Sequence, residues 1–429
     1  MRRLVLVCLL AIAGCDRVPI GSDLEPALVV TPDLDVIQSD PDLRIRLVPE
    51  STNERLALRV GEQEVAFDST TKAFVVEARL QRGLNTFPIA LTDEADRVRT
   101  DTLYAVYLPV QQTSLTMTNA SPARTDAASA SLSTNQGLVT GGFGQTGEPL
   151  ASATLLQLSG AQVISFELPL QRARAGHTAV PLFDGVLLLG GATAETPTGE
   201  ADFVRSPEWI GPSGDSRMVQ VSADGPARAG HGARVLELDG TVYIYLLGGR
   251  TPGVAAASTV DVYRVDGDGG LTFTLTRLSP TGGASGFAAL AAPALASTGP
   301  RSDAAFGLGD GGVSLALRWS TPGTGAFPFS LRVRPAAPLA TPRTDAAAVS
   351  IGDGLALVTG GRDAAGDPVG RFEVYAAEAD RVFRFPGTIQ MLVPRSGHTA
   401  TIFSGGRIVI GGGRPASGRA IVSYEALQL

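Results

Sequence analysis

The chain contains three histidines, and all of them close the same four-residue string: Arg174-Ala-Gly-His177, Arg228-Ala-Gly-His231 and Arg395-Ser-Gly-His398. A general base or a nucleophile's partner needs one particular place in one site. Residues that return at equivalent places along a repeat instead read as structure, with the Arg and His side chains knitting neighbouring strands and loops. A shared metal would need its ligands within about 2.1 Å of one ion, which symmetry-related positions do not allow. No metal and no cofactor is therefore expected. Asp266-Gly-Asp268-Gly-Gly270 spaces its carboxylates like the start of a calcium loop. The later Glu is missing and the run lies between two predicted strands, so it reads as a Gly-rich turn. No Gly-x-Ser-x-Gly elbow, His-Glu-x-x-His pair or phosphate loop occurs, and no catalytic residue is assigned.

The anchors are positioned by a repeating set of strands. Arg124-Thr-Asp-Ala127 and Arg343-Thr-Asp-Ala346 open equivalent segments in a second form. Each Arg anchor (Arg124, Arg174, Arg228, Arg343, Arg395) is followed by an apolar run that ends in paired glycines. The pairs are Gly141-Gly142, Gly190-Gly191, Gly248-Gly249, Gly360-Gly361 and Gly411-Gly412. Such a pair suits backbone that turns with positive φ and passes close to a neighbouring sheet, where a Cβ would not fit. The period is about 50 residues, with one interval of roughly twice that between Arg228 and Arg343. A degenerate unit is placed there, with Ser285-Gly-Phe287 at the anchor and Gly311-Gly312 closing its second strand. Two further strands end each unit, as in Val260–Val265 with Leu271–Leu278, and Phe372–Tyr375 with Val382–Phe385. Four strands per unit make a propeller blade, so six blades are expected over residues 110–429.

The last unit stops after its third strand, Ala420–Ala426, and Thr113–Thr118 precedes Arg124 with no unit of its own. That segment is predicted to supply the missing fourth strand, closing the ring and covering an open edge. The diglycines, together with Tyr263 and Tyr375 in third strands, resemble the kelch motif over about 320 residues, although the usual late Trp is mostly missing. The resemblance implies a kelch-type β-propeller. Some propellers of this type resemble the galactose oxidase group, which uses copper and a Cys–Tyr cross-link. The only cysteines here are Cys8 and Cys15, which leaves none for that cross-link in the propeller. Sialidase-type Asp boxes are absent as well.

Before the propeller lies a smaller region. Seven short runs between Ala27 and Leu108 alternate apolar with polar residues or are β-rich: 27–31, 43–48, 56–60, 64–67, 74–80, 85–91 and 102–108. They fit a β-sandwich, and Leu80-Gln-Arg-Gly-Leu-Asn85 followed by Thr92-Asp93 resembles bacterial immunoglobulin-like modules. Residues 27–109 are therefore read as an Ig-like sandwich, a spacer or docking platform, and the whole as all-β.

The N-terminus has Arg2 and Arg3 before an apolar run, Leu4–Ala13. That run is shorter than the 20 or so residues needed to span a bilayer and has the form of a secretory signal. Ile12-Ala13-Gly14-Cys15 resembles the lipobox of bacterial lipoproteins. The resemblance implies removal of residues 1–14, lipidation of Cys15 and a tether over 15–26; the other reading is an ordinary signal peptide with an incidental Cys15. Two or three acyl chains, at about 0.8 kcal/mol per buried methylene, hold a domain stably at a membrane. The expected location is the bacterial cell envelope, at the outer membrane or the periplasmic side of the inner one.

The net charge is −7 and Lys72 is the only lysine. No basic cluster stands out, which argues against a nucleic-acid partner. The expectation is a non-catalytic lipoprotein that binds or scaffolds a protein or glycan, with contacts in the loops 144–150, 193–202, 251–258 and 362–370 after the diglycines. The alternatives are a propeller-type hydrolase acting on carbohydrate, betrayed by carboxylates converging near the axis, and a structural envelope assembly component.

Overall fold

The computed structural model describes residues 16–18, 28–49, 56–119, 121–222, 225–267, 272–278, 289–307, 313–321 and 330–429. Cys8, Cys15, Ser285–Phe287, Gly311–Gly312 and Asp268–Gly270 lie outside them. The chain is all-β and divides into two compact units, the first ending at Pro109 and the second starting at Val110.

In the first unit two antiparallel sheets share one apolar core. One sheet orders Asp16–Val18, Leu28–Thr31, Asp42–Pro49, Ala73–Arg79 and Phe67–Asp68; the other orders Gln63–Val65, Ala57–Val60, Gly83–Thr92 and Val98–Tyr107. Asp42–Pro49 alternates exposed and buried residues, which puts Leu43, Ile45 and Leu47 inside against Leu58, Leu91 and Leu103 of the other sheet. Two expectations need correction. The run 64–67 is not one strand: it breaks at Ala66, and its halves pair in different sheets. Residues 16–18, placed in a free tether, pair antiparallel with Leu28–Val30 and cover what would be an open edge.

The strands of the second unit form antiparallel sets of four, to the third of which Gln220–Val221 adds a short fifth strand, parallel to Thr274–Leu275. The first is Ala128–Ser131, Gln136–Thr140, Ser152–Ser159 and Gln162–Pro169; the second is Thr178–Leu182, Gly185–Leu189, Glu208–Ile210 and Ser216–Met218. The third is Gly232–Leu238, Thr241–Leu247, Val260–Asp266 and Thr274–Leu278; the fourth is Ala294–Gly299, Ser302–Gly307, Val313–Ser320 and Ser330–Pro335. The fifth is Ala347–Gly352, Leu355–Thr359, Glu373–Ala376 and Arg381–Arg384. The last is Thr399–Phe403, Arg407–Gly411 and Tyr424–Gln428, completed by Gln111–Met117 from the start of the unit. Gln111–Leu115 pairs antiparallel with Tyr424–Gln428, as the orphan segment predicts. Its end, Thr116–Met117, also pairs in parallel with Gln162–Val163, so the first and last sets merge into one eight-stranded sheet.

Second strands are the most deeply buried, because they are flanked within their own set and packed by the sets on either side. Val186–Leu189, Ile244–Leu247 and Leu355–Val358 are at most 2% exposed. The fourth set shows where sequence reading placed its degenerate unit wrongly. The register that sets Ala347 opposite Thr359, directly before Gly360, sets Ala294 opposite Phe306, directly before Gly307, so Gly307 stands where Gly311 was expected. The anchor position belongs to Leu290, because the Gly249 amide donates to the Leu290 carbonyl just as the Gly191 amide donates to that of Arg228.

Candidate functional site

The five anchor arginines are buried to 2% exposure or less. Each uses Nη1 to donate to the carbonyl of the first glycine of its own pair: Gly141 at 2.8 Å, Gly190 at 3.2 Å, Gly248, Gly360 at 3.1 Å and Gly412 at 3.0 Å. Each also pairs with an acid that sequence reading did not single out. These are Arg124–Glu167, Arg174–Glu208, Arg228–Asp261, Arg343–Glu373 and Arg395–Glu425. The guanidinium thus ties the end of the second strand to the third or fourth strand of the same set. Burial pushes the Arg124, Arg174, Arg343 and Arg395 pKa values down and that of Glu373 up, while the partner's opposite charge pulls each back.

In the last set the working pair is Gly412-Gly413, one residue beyond the expected Gly411-Gly412. Gly411 sits within the strand, opposite Thr399, where Thr140 and Thr359 stand in other sets. Gly412 and Gly413 carry the positive φ values, 67° and 89°. The reason for glycine is visible at Gly360: φ is 53°, and a Cβ there would stand 2.6 Å from the Arg395 carbonyl oxygen. The second glycine of each pair donates its N–H to the anchor carbonyl of the following set. Gly142 reaches Arg174, Gly361 reaches Arg395, and Gly413 returns to Arg124 at 2.9 Å.

The histidines also act between sets. Nε2 of His177 bonds the Thr140 hydroxyl at 2.7 Å, His231 bonds Thr178 at 3.0 Å and His398 bonds Thr359 at 2.8 Å. Burial, with the adjacent anchor arginine next, depresses all three: His177 falls well below the ordinary range, and His231 and His398 fall to about 3. They are neutral at physiological pH, and none of them lines the pocket beside Asp126 and Asp345. Among the described residues no three His, Cys, Asp or Glu side chains gather closely enough to hold a metal ion.

The residue two places after each anchor builds the site. All adopt positive φ: Asp126 54°, Gly176 60°, Gly230 63°, Asp345 52° and Gly397 58°. Their backbones are linked in sequence along an arc of a ring that the fourth set does not join. Gly397 donates to Asp345, Asp126 to Gly397, Gly176 to Asp126 and Gly230 to Gly176, at 2.6–2.9 Å. Where this residue is Asp, a carboxyl joins the ring. Gly397, between the two aspartates, must lack a side chain, because a Cβ would stand 2.7 Å from the Asp126 carboxylate.

Above this ring is a pocket of about 300 Å³, lined by Asp126, Asp345, Glu195, Arg250, Arg362 and Arg414 among others. The three arginines each directly follow a glycine pair, a position that Phe143 and Ala192 fill in the first two sets. Glu195, in the loop after Gly190-Gly191, bonds Arg414 Nη2 at 2.6 Å, and Arg362 Nε donates to Ser396 Oγ at 2.7 Å. Arg414 Nε is buried with no partner. Burial, then the Asp345 charge, raises Asp126 to about 6, against the pull of Arg414 and Arg362. Burial also raises Asp345, against Arg362, Arg250 and Arg414. Of the loops expected to bear contacts, 193–202 contributes Ala194–Pro197 and 362–370 contributes Arg362. Loop 144–150 turns back on itself through the Gly144–Glu148 bond, and 251–258 does so through Thr251–Val254.

Sets of four antiparallel strands, ringed by anchor and diglycine contacts around a polar pocket, define a β-propeller-like protein. No family model matches the sequence, and no curated protein matches it. A solved structure, that of YjhT, a β-propeller, covers 72% of this chain and 95% of its own, with a TM-score of 0.51 and 11% sequence identity. At that identity the likeness is one of fold.

Proposed function

We propose that the second unit is a six-bladed kelch-type propeller and that the protein is a non-catalytic, lipid-anchored envelope protein binding a glycan through its axial pocket. The first unit, taken as Ig-like, serves as its spacer. The observation that carries the reading is the pocket's alternation of donors (Arg250, Arg362, Arg414) and acceptors (Asp126, Asp345, Glu195). Vicinal hydroxyls, each both donor and acceptor, complement such a lining. A volume of about 300 Å³ is at the lower end of small-ligand sites and suits one sugar ring better than a folded protein loop.

A glycan-binding screen of the purified protein tests this. Retention of a glycan that Arg362→Ala weakens at least tenfold supports it; no retention, or retention indifferent to Arg362→Ala, overturns it. A second reading, a hydrolase, draws support from Asp126, whose pKa near 6 suits a general acid beside a second carboxyl. Cleavage of a bound glycan that Asp126→Asn abolishes would establish it over the first.

A further inference from the structure

Arg318 and Arg332 face each other as register partners on adjacent strands of the fourth set, and both are exposed. Directly opposed like charges destabilise an antiparallel pair. Among the described residues neither guanidinium has an acid partner. They line a cleft of about 680 Å³ between the fourth and fifth sets, together with Arg301 and Arg334. Those two form the fixed wall: Arg301 pairs with Asp239 at 3.2 Å, and Arg334 with Asp380 at 2.7 Å. Asp380 is itself held by the Tyr375 hydroxyl at 2.8 Å and the Ala337 amide at 3.1 Å.

The carboxylates lining the cleft are Asp303 and Glu378. Asp303 is 1% exposed and already engaged by Arg234, Tyr245 and Trp319. With Arg301 and Arg334 neutralised by their partners, Arg318 and Arg332 against the exposed Glu378 leave the cleft an excess of positive charge on a chain whose net charge is −7. Two register steps from the opposed arginines, the Ser320 and Ser330 hydroxyls meet at 2.7 Å and add donors to the same face.

We propose that this cleft binds a phosphate oxyanion, the phosphate group of a small phosphorylated ligand or of a headgroup. Planar guanidinium forks match tetrahedral oxyanions bidentately. A dianion between Arg318 and Arg332 converts their repulsion into two attractions, which a monovalent carboxylate does less well.

The test is calorimetric titration of the purified full chain at low salt with inorganic pyrophosphate, with acetate as the monovalent control. Pyrophosphate should bind more tightly than acetate, weaken with salt and weaken at least tenfold in R318Q/R332Q. Arg362→Ala, in the axial pocket, should leave this binding unchanged, which separates the site from the glycan reading. Because both side chains are exposed and removing both charges relieves their repulsion, R318Q/R332Q should melt at or slightly above the parent; if it fails to fold, R332Q alone should still show at least a threefold loss. No pyrophosphate binding at millimolar concentration, or binding equal in parent and variant, would overturn the proposal. Vesicles containing phosphatidic acid identify the source. With Cys15 replaced by Ala to remove any acyl anchor, vesicle binding that pyrophosphate displaces and R318Q/R332Q weakens puts the phosphate on a headgroup, while pyrophosphate binding without such vesicle binding puts it on a small phosphorylated ligand.

Discussion

Replacing Arg343 by Leu removes a guanidinium that is fully buried and donates to the Thr341 carbonyl at 3.0 Å, the Gly360 carbonyl at 3.1 Å, the Arg371 carbonyl at 2.8 Å and Glu373 at 2.5 Å. Glu373, 1% exposed, is left as an anion without its cation. Breaking one half of such a pair costs about 3–5 kcal/mol. The double variant Arg343→Leu/Glu373→Leu leaves no orphan charge. Its remaining cost is that of three carbonyls losing a donor and the Thr341 amide losing its Glu373 acceptor, offset by new apolar burial, and should come to about 1–3 kcal/mol.

The molecule contains its own precedent for the double replacement. In the fourth set the anchor position is Leu290, and the register that places Glu373 opposite Val358 places Leu315 opposite Ala305. Leu290 and Leu315 lie in one buried cluster, so anchor and acid have been exchanged together. The assay is chemical unfolding of the parent, both single variants and the double at pH 7, repeated for Arg343→Leu at pH 5. Without Arg343 the Glu373 pKa, already raised by burial, rises further above its unfolded value. Its contribution is then favourable at low pH and lost as pH rises through the folded value, so the variant's deficit should shrink at pH 5. A double variant as unstable as the two singles added together would refute the ion-pair account.

Three other outcomes follow from the geometry. Gly360→Ala should lower stability by at least about 3 kcal/mol, because its Cβ meets the Arg395 carbonyl, whereas Gly366→Ala, with positive φ but open space around it, should cost about 1 kcal/mol; thermal melts of the two compare them. Deleting residues 112–119 removes the strand paired with Tyr424–Gln428 and should sharply lower the melting temperature; an unchanged melt would sink the closure. Asp126 has a folded pKa of about 6 against an ordinary 3.8, so its contribution is present below 3.8 and lost as pH rises through 6. Asp126→Asn, which keeps a residue tolerant of positive φ, should therefore gain stability relative to the parent between pH 4 and pH 7, and a gain independent of pH would contradict the raised pKa.

The repeat was legible because its parts are local. An anchor, an apolar strand and paired glycines fall within about 20 residues, and each is demanded by backbone geometry that few residue types satisfy. The orphan strand Gln111–Met117 was legible for the same reason, since one unit lacked what another segment offered. Where local spacing loosened, reading slipped. Three glycines in a row hid the working pair Gly412-Gly413, and with Arg replaced by Leu290 the fourth anchor lost its signal.

The acid partners escaped because two residue types fill the role and the separation from the anchor varies, from 30 residues for Arg343 and Glu373 to 43 for Arg124 and Glu167. The axial cluster was marked in the sequence only by an Asp where other units have Gly, and by Arg after Gly-Gly at 250, 362 and 414. Neither mark says that these side chains meet. Each lies at the same turn of a different unit, up to 288 positions apart for Asp126 and Arg414. The arc of backbone bonds linking Asp345, Gly397, Asp126, Gly176 and Gly230, with the bonds that tie Arg250, Arg362 and Arg414 to Ala229, Thr344 and Ser396, brings them to one pocket. Residue type and spacing thus determined the repeating unit, while proximity across units, with the burial that raises Asp126, was decided by tertiary closure.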